Sequence, residues 1–317
     1  MEKIFEYARK NNISDIHIIE GERIYFRKDG EIVAYEDNQS LSREDILKIC
    51  SGKFEEDFAY TDSKNQRYRI NSFFTKGKLA LVIRVINDEA IKLKGAFINK
   101  VIDEKILSLK DGLVLISGIT GSGKSTTLAN IIEKFNENKS IKILTIEDPI
   151  EYIFENKKAL IIQRELGTDV ESFEKALKSS LRQDPDVIVL GEIRDEESLF
   201  SALKLAETGH LVFSTLHTMN AVESINRLIS MTKSDKRDFV REQLASVLRF
   251  VFSQELYRDK KTKEVKVIFE ILNNTKAVAN LIANNKLNQI PSLIESGIEN
   301  YMITKEKYFK KIEIESD

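Results

Sequence analysis

LVLISGITGSGKST, residues 113–126, is the stretch whose reading decides the fold. Leu113 to Ser117 is almost continuously apolar, which predicts a buried strand. Gly118, Gly121 and Gly123 then punctuate a loop, and Lys124-Ser125-Thr126-Thr127-Leu128 opens a helix. Strand, G-x-x-x-x-G-K-[ST], helix is a phosphate-binding loop in the context that confirms it. The glycines let the backbone wrap a polyphosphate with its N–H groups turned inward, where a Cβ would obstruct. Gly118, Thr120, Gly121, Ser122, Gly123, Lys124, Ser125 and Thr126 are therefore the predicted nucleotide-binding residues. Lys124 can reach the β- and γ-phosphates, Ser125 can hold Mg²⁺, and the helix N-terminus adds partial positive charge. ATP and Mg²⁺ are the expected ligands.

Outward from the loop, strands alternate with helices. Strands are predicted at 113–117, 141–147, 187–190 and 211–216, and helices at 125–135, 172–182 and 197–206, the last stopped by Gly209. This is a parallel α/β core, whose ligand edge lies at the carboxyl ends of the strands. Residues 236–256 read as one long amphipathic helix and 265–272 as a strand; 277–285 and the chain from Pro291 read as helical, ending in a charged tail. Before the core the units are small and mixed. A helix over 2–10 precedes a strand at Ser14 and a hairpin over 23–35 about Lys28-Asp29-Gly30. Ser42 caps a helix to Cys50, and a second hairpin spans 67–86 around Lys76-Gly77. Residues 1–90 are read as an α+β domain, 91–105 as a linker without a clean period, and 106–317 as the ATPase domain with its C-terminal helical segment.

The 317 residues give room for two cores. A formal charge of −2 with interspersed signs leaves no electrostatic footprint for nucleic acid. Cys50 is the one cysteine and sits in a helical pattern, which predicts a buried thiol and excludes a disulfide framework or a four-cysteine zinc module. No stretch approaches the length of a membrane span and no leader is evident, so the expectation is a cytosolic protein that meets a membrane only through a partner.

Three predicted strands end in polar residues at the phosphate edge. In TIEDPIEY, 145–152, Glu147 is placed one strand from the loop, where a carboxylate can orient the attacking water; a solvated turn before Pro149 is the alternative. In DPDVIVLGEIRD, 184–195, four apolar residues end in Gly191-Glu192, and Glu192 is positioned to hold Mg²⁺ partly through water. Arg194 is either a phosphate contact or, the preferred reading, a salt-bridge partner. In TGHLVFSTLHTMNA, 208–221, His217 follows an apolar strand and can sense a γ-phosphate by hydrogen bonding. His210 precedes that strand, on the wrong edge for direct chemistry. His17 completes the three histidines. Arg67, Arg69 and Arg84 flank the second hairpin; they either pair on the surface or act in an oligomer as arginine fingers.

Together these motifs resemble the secretion-ATPase superfamily, and within it the type IV pilus retraction motors, over nearly the whole chain. Ser14–His17, SDIH, is similar to that family's N-terminal signature, and GITGSGKST to its phosphate loop. TIEDPIEY resembles its acidic box with the catalytic glutamate at Glu147, and DPDVIVLGEIRD its metal-side box with Glu192. TGHLVFSTLHT resembles its histidine box, with His210 and His217. The resemblance implies a RecA-like P-loop NTPase domain preceded by a small PAS-like α+β domain. It implies a homohexamer with each nucleotide between the two domains of a subunit, and residues matching Arg69 and Arg84 at the phosphates. It further implies an inner-membrane pilus platform protein as partner, placement at the cytoplasmic face of that membrane, and work that pulls pilin subunits from the fibre base.

Assembly and type II secretion motors usually carry a long extra N-terminal region and a four-cysteine module, and neither is expected here. Retraction motors carry A-I-R-N-L-I-R-E shortly before Q-x-P. Here Ala277–Asn284 reads AVANLIAN, ahead of Gln289-Ile290-Pro291. Ala279 and Ala283 stand where that motif has arginines, and Asn284 where it has an acid. An assembly-type motor or an accessory nucleotide-dependent regulator stays open beside retraction.

Overall fold

In the computed structural model all residues are described except 12, 29, 38, 51, 65, 87–92, 259–264 and 315–317. Asp29 of the first predicted turn, the first residues of the predicted linker and the end of the charged tail thus lie outside the described residues. The chain divides into two units, Met1–Glu89 with Glu151–Ile153, and Ala90–Ile150 with Phe154–Asp317.

The first unit contains α1 (Glu2–Lys10), β1 (Asp15–Ile19), β2 (Tyr25–Lys28), β3 (Glu31–Ala34), α2 (Arg43–Cys50), β4 (Asp57–Thr61), β5 (Arg67–Thr75) and β6 (Lys78–Val85). The strands form one antiparallel sheet in the order β3-β2-β1-β6-β5-β4. Ile16 and Ile18 of β1 alternate toward a core shared with Ile4, Phe5 and Ala8 of α1 and Ile46, Ile49 and Cys50 of α2. That two-residue period against a three-to-four-residue period is the pattern of helices packed on a half-buried sheet. Ser42 caps α2, accepting from the Asp45 N–H at 3.2 Å. β4 was not foreseen in the sequence.

The second unit begins with a correction. Part of the predicted linker is α3 (Ala96–Glu104), whose Ile98, Val101 and Ile102 are buried at helical spacing in the second core. There follow β7 (Gly112–Ser117), α4 (Lys124–Asn138), β8 (Lys142–Glu147), β9 (Leu160–Glu165), α5 (Phe173–Ser180), β10 (Val187–Leu190), α6 (Glu196–Glu207), β11 (Leu211–Leu216) and α7 (Ala221–Ser230). The chain closes with α8 (Arg237–Val247), β12 (Leu248–Arg258), β13 (Val265–Asn273), α9 (Lys276–Ala283), α10 (Ile290–Ser296) and α11 (Lys305–Ile314). The predicted helix over 236–256 is therefore wrong in its second half: residues 248–258 form a strand. Its Phe250 and Phe252 pack on one face while Leu248 and Val251 pack on the other, with a register shift between Leu248 and Phe250. That irregularity blurs the period of two and lets the run pass for a continuing helix.

The sheet order is β13-β12-β7-β11-β10-β8-β9, parallel apart from β13. β7 is buried along its whole length because Leu113 and Leu115 face α5–α10 while Val114 and Ile116 face α3, α4 and α11. A strand covered on both faces has to be apolar throughout, which is why 113–117 carries no alternation.

Candidate functional site

β7 delivers the chain to Gly118 at the carboxyl edge of the sheet. An added Cβ on Gly118 would lie 2.4 Å from Ser122 Oγ and 2.5 Å from the Gln254 carbonyl, so nothing larger than hydrogen fits. Gly123 is the N-cap of α4 in left-handed conformation, φ 84°, and no side chain caps the helix. The first N–H groups of α4 therefore have no side-chain acceptor at the cap and are suited to an anion. Lys124 folds back on the loop, donating to the carbonyls of Gly118 at 2.8 Å and Ile119 at 3.1 Å. Its ammonium thus sits inside the loop that a polyphosphate would enter. Gln254 of β12, fully buried, donates from Nε2 to the Ser122 carbonyl at 2.6 Å and pins the loop from the neighbouring strand.

The registers put the ends of β8, β10 and β11 level: Leu190 is opposite both Ile146 and Ser214. Glu147, Glu192 and His217 thus leave the sheet at one edge. The expected adjacency of Glu147 to the loop strand needs correcting, since β11 and β10 lie between β7 and β8. At about 4.8 Å per strand this is some 14 Å across the sheet. Glu147 accepts from Thr145 Oγ1 at 2.6 Å and from Gln163 Nε2 on β9 at 3.4 Å. The peptide between Asp148 and Pro149 is cis.

His217 joins the two nearer groups. Its Nδ1 is 3.4 Å from Thr120 Oγ1 on the phosphate loop and its Nε2 is 3.4 Å from Glu192 Oε1. A neutral ring protonated on Nε2 satisfies both, donating to the carboxylate and accepting from the hydroxyl. The other oxygen of Glu192 accepts from Arg194 Nε at 2.9 Å, and Arg194 NH1 lies 3.8 Å from Asp148. Arg194 is accordingly a bridge between two carboxylates of different strand ends, and Glu192 holds its guanidinium even more firmly charged. His210 lies at the opposite edge, where Nδ1 donates to the Leu205 carbonyl at 3.1 Å in the last turn of α6. Its role in the fold is that of a helix-end cap.

In the first unit, Asp15 on β1 stands opposite Arg27 on β2 and Arg84 on β6, and Arg84 stands opposite Arg69 on β5. Opposed residues of antiparallel strands share a face, so three arginines and one aspartate form a rung. Arg84 Nε donates to Asp15 Oδ1 at 3.0 Å, and Arg69 NH2 reaches Asp57 Oδ2 at 3.4 Å. Arg27 is a member that the sequence reading passed over. On the same strand as Asp15, His17 keeps Nε2 buried without a partner; burial pushes its imidazole pKa down, against the pull of Asp15.

The profile of the Type II/IV secretion system protein family matches residues 1–306. The chain belongs to that family. A twitching motility protein of Neisseria gonorrhoeae is 41% identical over 273 residues, covering 86% of this chain and 73% of its own. The type IV pilus retraction ATPase PilT of Pseudomonas aeruginosa is 35% identical over 310 residues, 93% of this chain and 88% of the relative. A crystal structure of the pilus retraction motor PilT with bound ADP superposes with a TM-score of 0.83 at 35% identity, covering 98% and 96% of the two chains.

For a secretion ATPase the cation would be held mainly by the nucleotide. No cluster of three His, Cys, Asp or Glu suited to a metal occurs among the described residues. What the site offers is one hydroxyl, Ser125 at the start of α4, and one partly exposed carboxylate, Glu192. That donor set fits Mg²⁺, which keeps several waters and takes phosphate oxygens, and it fits an all-protein cage poorly. Gln254 is the site residue the sequence reading missed. Ser253-Gln254, polar in an otherwise apolar run, was the signal available, but a helix period assigned to 236–256 concealed it. No helix of the described residues is long and apolar enough to cross a membrane.

Proposed function

We propose that this chain is a Mg²⁺-dependent ATPase that powers retraction of a type IV pilus. The observation that carries the reading is His217 bridging the phosphate loop at Thr120 to Glu192, beside a Lys124 already seated in the loop. In this reading Lys124 and the N–H groups of α4 bind the β- and γ-phosphates, and His217 reports the γ-phosphate to Glu192. Glu147, oriented by Thr145 and Gln163, accepts the proton of the attacking water. Ser125 and Glu192 would hold Mg²⁺, whose chemistry is to neutralise phosphate charge. The relatives' names support pilus retraction as the work performed. The same reading has the chain act as a homohexamer at the cytoplasmic face of the inner membrane, on a pilus platform protein. Arg69 and Arg84 of the first unit would then complete the nucleotide site.

Glu147→Gln should abolish steady-state turnover while ADP affinity stays within about twofold, because the isosteric amide keeps the hydrogen bonds and loses only the base. Unchanged hydrolysis would remove Glu147 from the chemistry. Deleting the gene should leave cells piliated or hyperpiliated and unable to retract; bald cells would point to assembly.

A further inference from the structure

The loop that follows His217 is gripped by residues the phosphate site does not use. Glu270 on β13 accepts from the N–H of Ala221 at 2.8 Å. That N–H is the first of α7, one of the donors a helix cannot satisfy internally. Lys305, at the start of α11, donates to the Met219 carbonyl at 2.9 Å and to Glu255 Oε2 at 2.8 Å. A backbone bridge, Ile271 N–H to the Ile303 carbonyl at 2.9 Å and the reverse at 3.1 Å, ties β13 to the segment entering α11. Glu270 and Lys305 therefore belong to one mechanical piece, and both hold residues within four positions of His217.

The rest of the loop is fastened to α7 itself. Thr218 Oγ1 is 2.7 Å from Ser224 Oγ, the Met219 N–H donates to Glu223, and Asn220 accepts from the Glu223 N–H. Loop and helix thus form a block that carries His217; Ile225 and Leu228 pack its helix into the core, and Glu270 and Lys305 are polar ties that fix its leading end to β13 and α11. A carboxylate is a costly choice for a tie of this kind: removal from water pushes the Glu270 pKa up, and the Ala221 N–H and Lys305 offset that only in part. β13 then runs on through Asn274 and Thr275 into α9, the helix of the altered 277–284 motif.

We propose that Glu270 and Lys305 are positioning residues for His217, coupling the C-terminal segment to the nucleotide site through the Met219–Ala221 backbone. The inference rests on the reading of His217 as the γ-phosphate sensor. Displacing β13 would move the sensor relative to Thr120 and Glu192, so the segment that carries α9 can slow or license hydrolysis without touching nucleotide.

The test is steady-state ATP hydrolysis by the full-length assembled protein. Glu270→Ala and Lys305→Ala should each lower kcat about tenfold with KM for ATP within about twofold, the split expected when a group aligned for the transition state is lost. Glu270→Gln, which keeps a carbonyl acceptor for the Ala221 N–H, should restore most of the loss. In a His217→Ala background either substitution should cost nothing further, since contacts acting through one residue are not additive. Full activity of both single alanine variants would overturn the proposal, and so would a loss that multiplies with that of His217→Ala. If Glu270→Ala fails to fold, Lys305→Ala and its combination with His217→Ala decide the matter by the same two outcomes. Unchanged turnover in His217→Ala alone would overturn the sensor reading itself, and with it the coupling.

Discussion

Gly118 carries the tightest steric constraint among the three glycines of the phosphate loop. Its φ of 157° is a value that residues with a side chain rarely adopt. Space excludes one as well: Ser122 Oγ and the Gln254 carbonyl occupy the volume of a Cβ. Gly118→Ala should destabilise the second unit by about 1–3 kcal/mol through overpacking and weaken ADP binding at least about tenfold. Gly121→Ala, with open space around it but φ 78°, should cost only about 1 kcal/mol and act through backbone strain. Urea unfolding and a fluorescent-ADP titration would separate the two, and equal effects would contradict the steric account. The need for glycines was legible in the sequence, because the motif lists them. What pins Gly118 was not, because Gln254 lies far along the chain and meets the loop only once β12 is laid beside β7.

At the scale of elements, strong periods were legible and irregular ones were not. α4, α6 and the paired strands β5 and β6 fell close to their predicted ranges. β12 was lost to its register shift, and α3 was lost because a nine-residue helix between polar flanks offers one apolar stripe and little else. The turn joining β4 to β5 shows a further element that only packing reveals. Asp62, with its side chain out of solvent, accepts from the N–H groups of Lys64 and Gln66 at 2.9 and 3.0 Å and from Arg9 and the Tyr68 hydroxyl. Burial alone would raise its pKa; the two N–H groups, Arg9 and Tyr68 outweigh it and hold the carboxyl below its ordinary 3.8. A depressed folded-state pKa means stability that is present above the unfolded value and lost as pH falls through the folded one. Hydrogen-exchange protection factors of the amides across residues 57–75 should therefore fall below about pH 3.8 in the native chain. Asp62→Asn should lose protection already at neutral pH, by about 1–3 kcal/mol, and show a flatter acid response. An acid response unchanged by the substitution would exclude Asp62 as its source.

For the whole molecule, alternation of strands and helices sufficed to read a parallel core with its ligand edge, whereas the order of strands within the sheet did not follow from the chain. Nothing local says that β10 and β11 pass between β7 and β8. The same holds for the arginine rung of the first unit, since a register across four strands sets it. Arg69 and Arg84 face each other directly, and like charges in that position oppose folding by a few tenths of a kcal/mol up to about 1. Asp57 answers Arg69 only through an exposed contact of 3.4 Å, which is worth about 0–1 kcal/mol. Arg69 thus adds little to stability on balance, so the proposal that it serves the nucleotide site can be tested at little cost to the fold. Arg69→Ala should leave urea stability within about 0.5 kcal/mol of the parent while lowering kcat for ATP at least about tenfold. Arg84→Ala is the less clean probe, because it takes the ion-pair partner from Asp15, whose nearly buried side chain keeps the Ser14 hydroxyl at 2.9 Å, so both stability and turnover should fall. Combining Arg84→Ala with Asp15→Asn should recover the stability and leave the turnover low. Wild-type kcat in Arg69→Ala would show that the rung serves the first unit alone, and that the nucleotide site is completed without it.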